Sequence, residues 1–160
     1  MTSTDGSPAR VTDIGPVRLA AWRHFLEAHA RVLDLLEAEL RADEDLPLTW
    51  YDVLVQLSEA PDRQLRMQDL AQAVLLSKSG LTRLVDRMEQ AGLVDRRPCE
   101  DDRRGTYAAL TAAGLQRLRD TAPTHVRGVA EHFTSVLSDE EAATLADALG
   151  RIAERARRDP

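Results

Sequence analysis

The sequence predicts a mainly α-helical chain with one small β-hairpin, folded as a single domain. Three observations carry that reading. Apolar residues recur at alternating steps of three and four from Leu19 to Leu40, the spacing of a coiled-coil-like helix. Two short helical stretches, about 67–74 and 77–91, stand on either side of a tight turn. Two strand-like runs, 93–97 and 106–110, flank a charged loop at 98–105. With 160 residues, 43% hydrophobic and 30% charged, the chain is one ordinary domain with enough apolar side chains for a core.

Each element has its own signal. Residues 1–15, rich in Thr, Ser, Asp, Gly and Pro, read as a disordered arm. Pro16 suits the first turn of a long helix running to about residue 45. Its seam is Leu19, Trp22, Leu26, His29, Leu33, Leu36 and Leu40, widened by Phe25, Val32 and Leu35. Glu27, Asp34, Glu37 and Glu39 lie off the seam. So wide a stripe on so long a helix needs a partner, and a second chain is one candidate. Residues 43–48 break the helix, and Thr49 is expected to cap a second one reaching Ser58. Ala60-Pro61-Asp62 is a turn before the third helix. Ser77 caps the fourth, whose inner face is Leu81, Leu84, Val85 and Met88 and whose stop is Gly92. After the hairpin, Thr111 caps a fifth helix that Pro123 is expected to disturb. Ser138 and Glu141 form a capping box for the last helix, on Leu145, Leu149 and Ile152.

The net charge of −6 argues at first against a polyanion partner. The charge is unevenly placed, however. Residues 27–62 hold 10 acidic and 2 basic side chains, whereas residues 63–104 hold 9 basic and 7 acidic ones. Aromatic residues are 4%, too few for a single-stranded nucleic-acid stacking platform. The single cysteine, Cys99, excludes an internal disulfide and a zinc site of paired cysteines. His24 and His29 are five apart, and His125 and His132 seven apart, so neither pair has tight metal-ligand spacing. No cofactor or metal is expected. No Gly-rich phosphate loop or nucleophile elbow suggests an enzyme. The polar first fifteen residues do not look like a signal peptide, and apolar runs are too short to span a membrane, so the expected compartment is the cytoplasm.

Two short helices followed by two strands and a basic loop describe a winged helix-turn-helix, whose second helix enters the major groove. Ser77, Lys78, Ser79, Thr82 and Arg83 stand at the start of that helix, with hydroxyls and cations suited to phosphates and base edges. Arg103 and Arg104 lie at the loop tip, where arginine suits a narrow minor groove, and Asp102 can orient one of them. Taken singly, a Ser-Lys-Ser start is a helix cap and an Arg-Arg pair is a solvated tip; the order of the elements is what points to DNA. A helical protein-interaction module built on the same fold, without DNA binding, is the competing reading.

The run from Ser77 to Val94, Ser-Lys-Ser-Gly-Leu-Thr-Arg-Leu-Val-Asp-Arg-Met-Glu-Gln-Ala-Gly-Leu-Val, resembles the recognition helix of MarR-type regulators. Asp102-Arg103-Arg104-Gly105 followed by Leu110-Thr111-Ala112-Ala113-Gly114 resembles that family's wing. The resemblance covers about residues 16–158. It implies a homodimer whose first helix (16–45) and last helices (111–160) interlock around a DNA-binding region at 46–110. It also implies a pseudo-palindromic double-stranded operator, repression, and release by a small ligand or by oxidation. By the family's pattern Arg104 is the minor-groove arginine with Asp102 beside it, and Ser77, Ser79, Thr82 and Arg83 face the major groove. Arg66 would touch phosphate; Arg87, a turn deeper, touches DNA or instead pairs with Asp86 or another neighbour. Ligands of this family bind between the dimerisation helices and the winged region, so Trp22, Phe25, His29, Trp50 and Tyr51 are the candidates, with core or dimer packing as their alternative role. An aromatic ligand stacking on Trp22 is the expectation. Cys99 is the only available thiol sensor, but peroxide-sensing members carry a cysteine near the N-terminus and this chain has none there.

Overall fold

The computed structural model describes residues 14–99 and 105–158. Helix α1 (Pro16–Glu44) is followed by α2 (Leu48–Glu59), strand β1 (Gln64–Arg66), α3 (Met67–Ala73) and α4 (Lys78–Gln90). Strands β2 (Val94–Pro98) and β3 (Thr106–Leu110) lead to α5 (Ala112–His132) and α6 (Asp139–Arg158). Short 3-10 turns at Pro61–Arg63 and Thr134–Val136 complete the chain. The mainly helical fold with a small antiparallel sheet is therefore as the sequence indicates, with one strand more.

That strand is β1. The sheet order is β1-β3-β2, with Gln64 opposite Ala109 and Arg66 opposite Tyr107 on one side of β3, and Val94 opposite Leu110 and Pro98 opposite Thr106 on the other. Three residues are too few to show an alternating pattern, and β1 exists because β3 offers it a ladder of unpaired backbone groups.

A second correction concerns the start of α2. Thr49 is not its cap; the helix begins at Leu48, after Pro47, with no side-chain cap of its own. The Leu48 amide instead donates to Glu37 Oε2 on α1 at 2.6 Å. An acid reaching across from another helix satisfies an amide that α2 itself leaves unpaired and lies at the positive end of α2. Pro123 does not end α5, which runs through it. The helix is clamped to α1 on both sides of that proline: Arg117 bonds the Glu44 carbonyl, Thr124 Oγ1 donates to Glu44 Oε1 at 2.9 Å, and Arg127 meets Asp43 at 2.9 Å.

The capping signals otherwise hold. Ser77 Oγ accepts the Gly80 amide at 3.1 Å, Thr111 Oγ1 accepts that of Gly114 at 2.9 Å, and Ser138 and Glu141 bond reciprocally at 3.3 and 2.9 Å. The core lies between α2, α3, α4, the sheet and the end of α1, around Leu40, Leu54, Leu57, Leu70, Val85, Met88 and Val94. All four inner-face residues of α4 are buried in it.

The long seam is different. Only Leu36 and Leu40 are buried; Leu19, Trp22, Leu26 and Leu33 are 37–56% exposed, and no residue of α6 is buried. Both terminal helices thus present apolar side chains that this chain alone does not cover. No helix is long and apolar enough to cross a membrane.

Candidate nucleic-acid interface

Helix α4 is amphipathic, and its two faces have separate tasks. Leu81, Leu84, Val85 and Met88 fix it in the core, so residues 78, 79, 82, 83 and 87 point outward. Ser77, Lys78, Ser79, Thr82, Arg83 and Arg87 are all exposed. Ser77 Oγ is committed to the cap, and Thr82 Oγ1 donates to the Lys78 carbonyl at 2.8 Å. Each hydroxyl keeps acceptor capacity, and Ser79 Oγ lies 3.4 Å from that of Ser77.

Arg66 stands where β1 passes into α3, its guanidinium over the Tyr107 ring at 5.8 Å. That arrangement holds a cation on an aromatic face beside the start of α4. Arg66, Lys78 and Thr82 line one concavity of about 250 Å³, together with Gln68, Gly105 and Thr106. The wing base is closed by the Cys99 amide donating to the Gly105 carbonyl at 3.0 Å, and Cys99 itself is buried. Asp102, Arg103 and Arg104 lie outside the described residues.

Arg96 is a residue that sequence reasoning missed. From β2 its guanidinium reaches Asp86 and Glu89 at 2.6 Å each and the Thr82 carbonyl at 3.2 Å. All three partners belong to α4, so this one side chain ties α4 to β2. Only the three-dimensional pairing of β2 against α4 reveals it, because the partners are 7 to 14 residues away. Asp86 is therefore taken by Arg96, not by Arg87. Among the described residues no acid pairs with Lys78, Arg83 or Arg87, which leaves three cations facing solvent on one helix.

The aromatic candidates do not converge on one pocket. Trp22, Phe25 and His29 stack in a row along the exposed face of α1, with centroids 6.1 and 6.0 Å apart. Trp50 is half-buried against the core. Tyr51 is buried and stacks on His125 at 4.3 Å, and burial raises its hydroxyl pKa while it lowers that of the imidazole. His132 hydrogen bonds Glu39 at 2.5 Å, and with Glu131 these are the only His, Cys, Asp or Glu side chains, among the described residues, grouped closely enough to hold a metal ion.

A helix-turn-helix whose second helix turns three free cations outward, beside a three-stranded sheet carrying a wing loop, defines a winged DNA-binding protein. The comparisons agree. The MarR family model matches residues 44–105. The HTH-type transcriptional regulator MhqR of Bacillus subtilis is 35% identical over 104 residues, 65% of this chain and 70% of that protein. The HTH-type transcriptional repressor YetL of the same organism is 32% identical over 108 residues, 66% of this chain and 62% of its own length. Among solved structures, AbsC, a MarR family transcriptional regulator from Streptomyces coelicolor, matches with a TM-score of 0.82 at 42% identity, over 89% of this chain and 96% of AbsC. Sco3205 from the same organism, solved in complex with DNA, gives 0.81 at 36%, over 88% of each chain. The chain belongs to the MarR family of DNA-binding transcriptional regulators, a family of regulators and not of enzymes.

Proposed function

We propose that the chain is a homodimeric repressor that binds a pseudo-palindromic operator and releases it when a small ligand binds. The outward face of α4 carries this reading: Lys78, Arg83 and Arg87 have no acidic partner among the described residues, beside the exposed Ser77, Ser79 and Thr82. Unpaired cations with small hydroxyls at a helix start suit phosphates and guanine edges in a major groove. Arg66 would hold a flanking phosphate, and Arg103 and Arg104, oriented by Asp102, would reach the minor groove from the wing.

Residues 16–45 and 111–160 serve as the dimerisation helices, and 46–110 as the DNA-binding region. The uncovered apolar faces of α1 and α6 support this assignment, because stripes of that size are normally buried against a partner. Repression is the mode that the likeness to YetL favours. Such a regulator works in the cytoplasm, where the DNA is.

The test is binding of the purified chain to duplex fragments flanking its own coding sequence, at several salt concentrations, with its mass measured in the same buffer. A dimer that selects one fragment over random DNA is expected. A monomer at micromolar concentration, or equal affinity for every fragment at low salt, overturns the proposal.

A further inference from the structure

The end of α5 brings an imidazole and two carboxylates together against α1. We propose that Glu39, Glu131 and His132 hold one divalent transition-metal ion of the zinc type, which ties the last turn of α5 to α1. The site uses no residue of the reading face and does not depend on the repressor reading.

The packing of two helices creates the group. Glu131 and His132 are neighbours in the last turn of α5, and Glu39 comes from α1. Each offers one donor atom, and the three atoms lie within 4.8 Å of one another. Two ligands about 2.1 Å from one zinc ion stand at most about 4.2 Å apart, so a small rotation of the exposed Glu131 side chain closes the set. One nitrogen and two carboxylate oxygens suit zinc, cobalt or manganese, whereas magnesium and calcium prefer oxygen donors alone. No spacing within one helix announces this set, because one of its acids belongs to a second helix.

Two further observations point to a cation rather than to a closed ion pair. The bond from His132 Nε2 at 2.5 Å engages only Oε1 of Glu39. Glu39 Oε2 is buried and has no hydrogen-bond partner among the described residues. An acceptor left so is costly, and coordination of a cation by the carboxylate relieves that cost.

The second observation is the bare backbone opposite. A Cβ at Gly128 would lie 2.5 Å from Glu39 Oε2 and 2.6 Å from Leu36 Cδ2. Glycine at this buried turn of α5 therefore leaves the carboxylate its place against the helix. No lysine or arginine competes for it: Glu39 pairs with His132, and the Glu131 carboxylate has neither ion pair nor hydrogen bond among the described residues. A bound ion replaces the proton shared by His132 and Glu39, and that proton leaves to solvent.

Zinc titration of the full chain, stripped of metal with EDTA and dialysed, tests the proposal by calorimetry and thermal melting, with magnesium as the comparison. One zinc per chain at micromolar affinity is expected, with a rise in Tm and no magnesium binding at the same concentrations. Glu131→Gln and His132→Gln should each weaken zinc binding by about tenfold or more and remove the rise in Tm. Because Glu131 is exposed, Glu131→Gln should melt with the parent in EDTA, which separates loss of the metal from loss of the fold. His24→Ala, which removes an exposed imidazole elsewhere on α1, should leave zinc affinity unchanged. Absence of zinc binding at submillimolar concentration, unaltered affinity in both Glu131→Gln and His132→Gln, or magnesium binding as tight as zinc would each overturn the proposal. A loss in His24→Ala equal to that in His132→Gln would put the ion on surface histidines and overturn it as well.

Discussion

Arg96 and Glu89 are joined twice: the Arg96 amide donates to Glu89 Oε1 at 3.1 Å, and its guanidinium Nη1 donates to Oε2 at 2.6 Å. A backbone bond and a side-chain bond to one carboxylate fix both the distance and the tilt between β2 and α4. With Asp86 and the Thr82 carbonyl on the same guanidinium, four bonds from one residue of β2 hold it against α4.

Arg96→Ala should therefore damage binding more than stability. The acids are 40–49% exposed, so the loss of folding free energy is about 1 kcal/mol, in the range of solvent-screened pairs. Operator affinity should fall tenfold or more, because the angle between helix and wing is no longer held. Chemical denaturation and fluorescence anisotropy on one sample decide it; equal losses in the two measurements would make Arg96 a purely structural residue.

Gly114 explains a glycine that the sequence shows only as part of a motif. A Cβ there would overlap the Leu93 carbonyl oxygen and lie 2.8 Å from Leu110 Cδ1. The start of α5 rests directly on the backbone that leads into β2, and Thr111 Oγ1 lies within hydrogen-bond reach of the Gly92 and Leu93 carbonyls there, at 2.7 and 3.0 Å. Gly114→Ala should cost about 2–3 kcal/mol, the overpacking range, since the obstacle is backbone and cannot swing aside. A shift of less than about 0.5 kcal/mol in urea unfolding would show that α5 can slide.

Much of this was legible in the sequence. The four-residue inner face of α4, three capping motifs and the hairpin are all local patterns, set by residues within one or two turns of each other. What escaped was non-local. The third strand depends on β3, the start of α2 depends on an acid eleven residues back, and the Arg96 clamp depends on a strand folding against a helix. The five aromatic ligand candidates share a sequence neighbourhood but not a place: Tyr51 lies in the core, whereas Trp22, Phe25 and His29 line the exposed face of α1. Spacing along α1 shows which residues share a face, but not what faces them.

The reading face should separate into two kinds of cation. Arg83→Ala is expected to cost about 1–3 kcal/mol on the preferred operator and little on random DNA, since a base contact carries specificity. Lys78→Ala and Arg104→Ala should each lower affinity for every sequence and reduce the salt slope by about one unit. Binding isotherms at four salt concentrations on two DNA sequences distinguish these cases. An unchanged slope for Arg104→Ala would remove that residue from the interface.

His125 should make the fold sensitive to mild acid. Burial holds its imidazole below the ordinary 6.5, and Nδ1 is buried with no hydrogen-bond partner among the described residues. Below about pH 6.5 the unfolded chain takes up a proton that the folded chain resists, so stability is full above that pH and declines as pH falls toward the depressed value. His125→Phe keeps a ring on Tyr51 and removes the titration. Its stability should fall less than the parent's between pH 6.5 and 5, by up to about 1.4 kcal/mol per pH unit while only the unfolded state is protonated. Parallel curves for the two proteins would mean that His125 does not titrate on unfolding.

Trp22 tests the dimer most directly. It is 56% exposed, stacked beside Phe25 in a row that ends at His29, and it lies two turns or more from the buried part of α1, which begins at Leu36. A charge placed there does not touch the core around Leu54, Leu57 and Met88, so the winged region should stay folded. It would, however, be buried unpaired in any interface that covers the α1 stripe, a cost of several kcal/mol for each of two symmetric copies. Trp22→Asp should therefore sediment as a monomer with a helical circular-dichroism spectrum. Its operator binding should nearly vanish, because a single reading helix keeps only one half-site of the two that a dimer spans about 34 Å apart. If Trp22→Asp stays dimeric, the interface runs elsewhere, and α6, with Ile152 exposed, becomes the helix to change next.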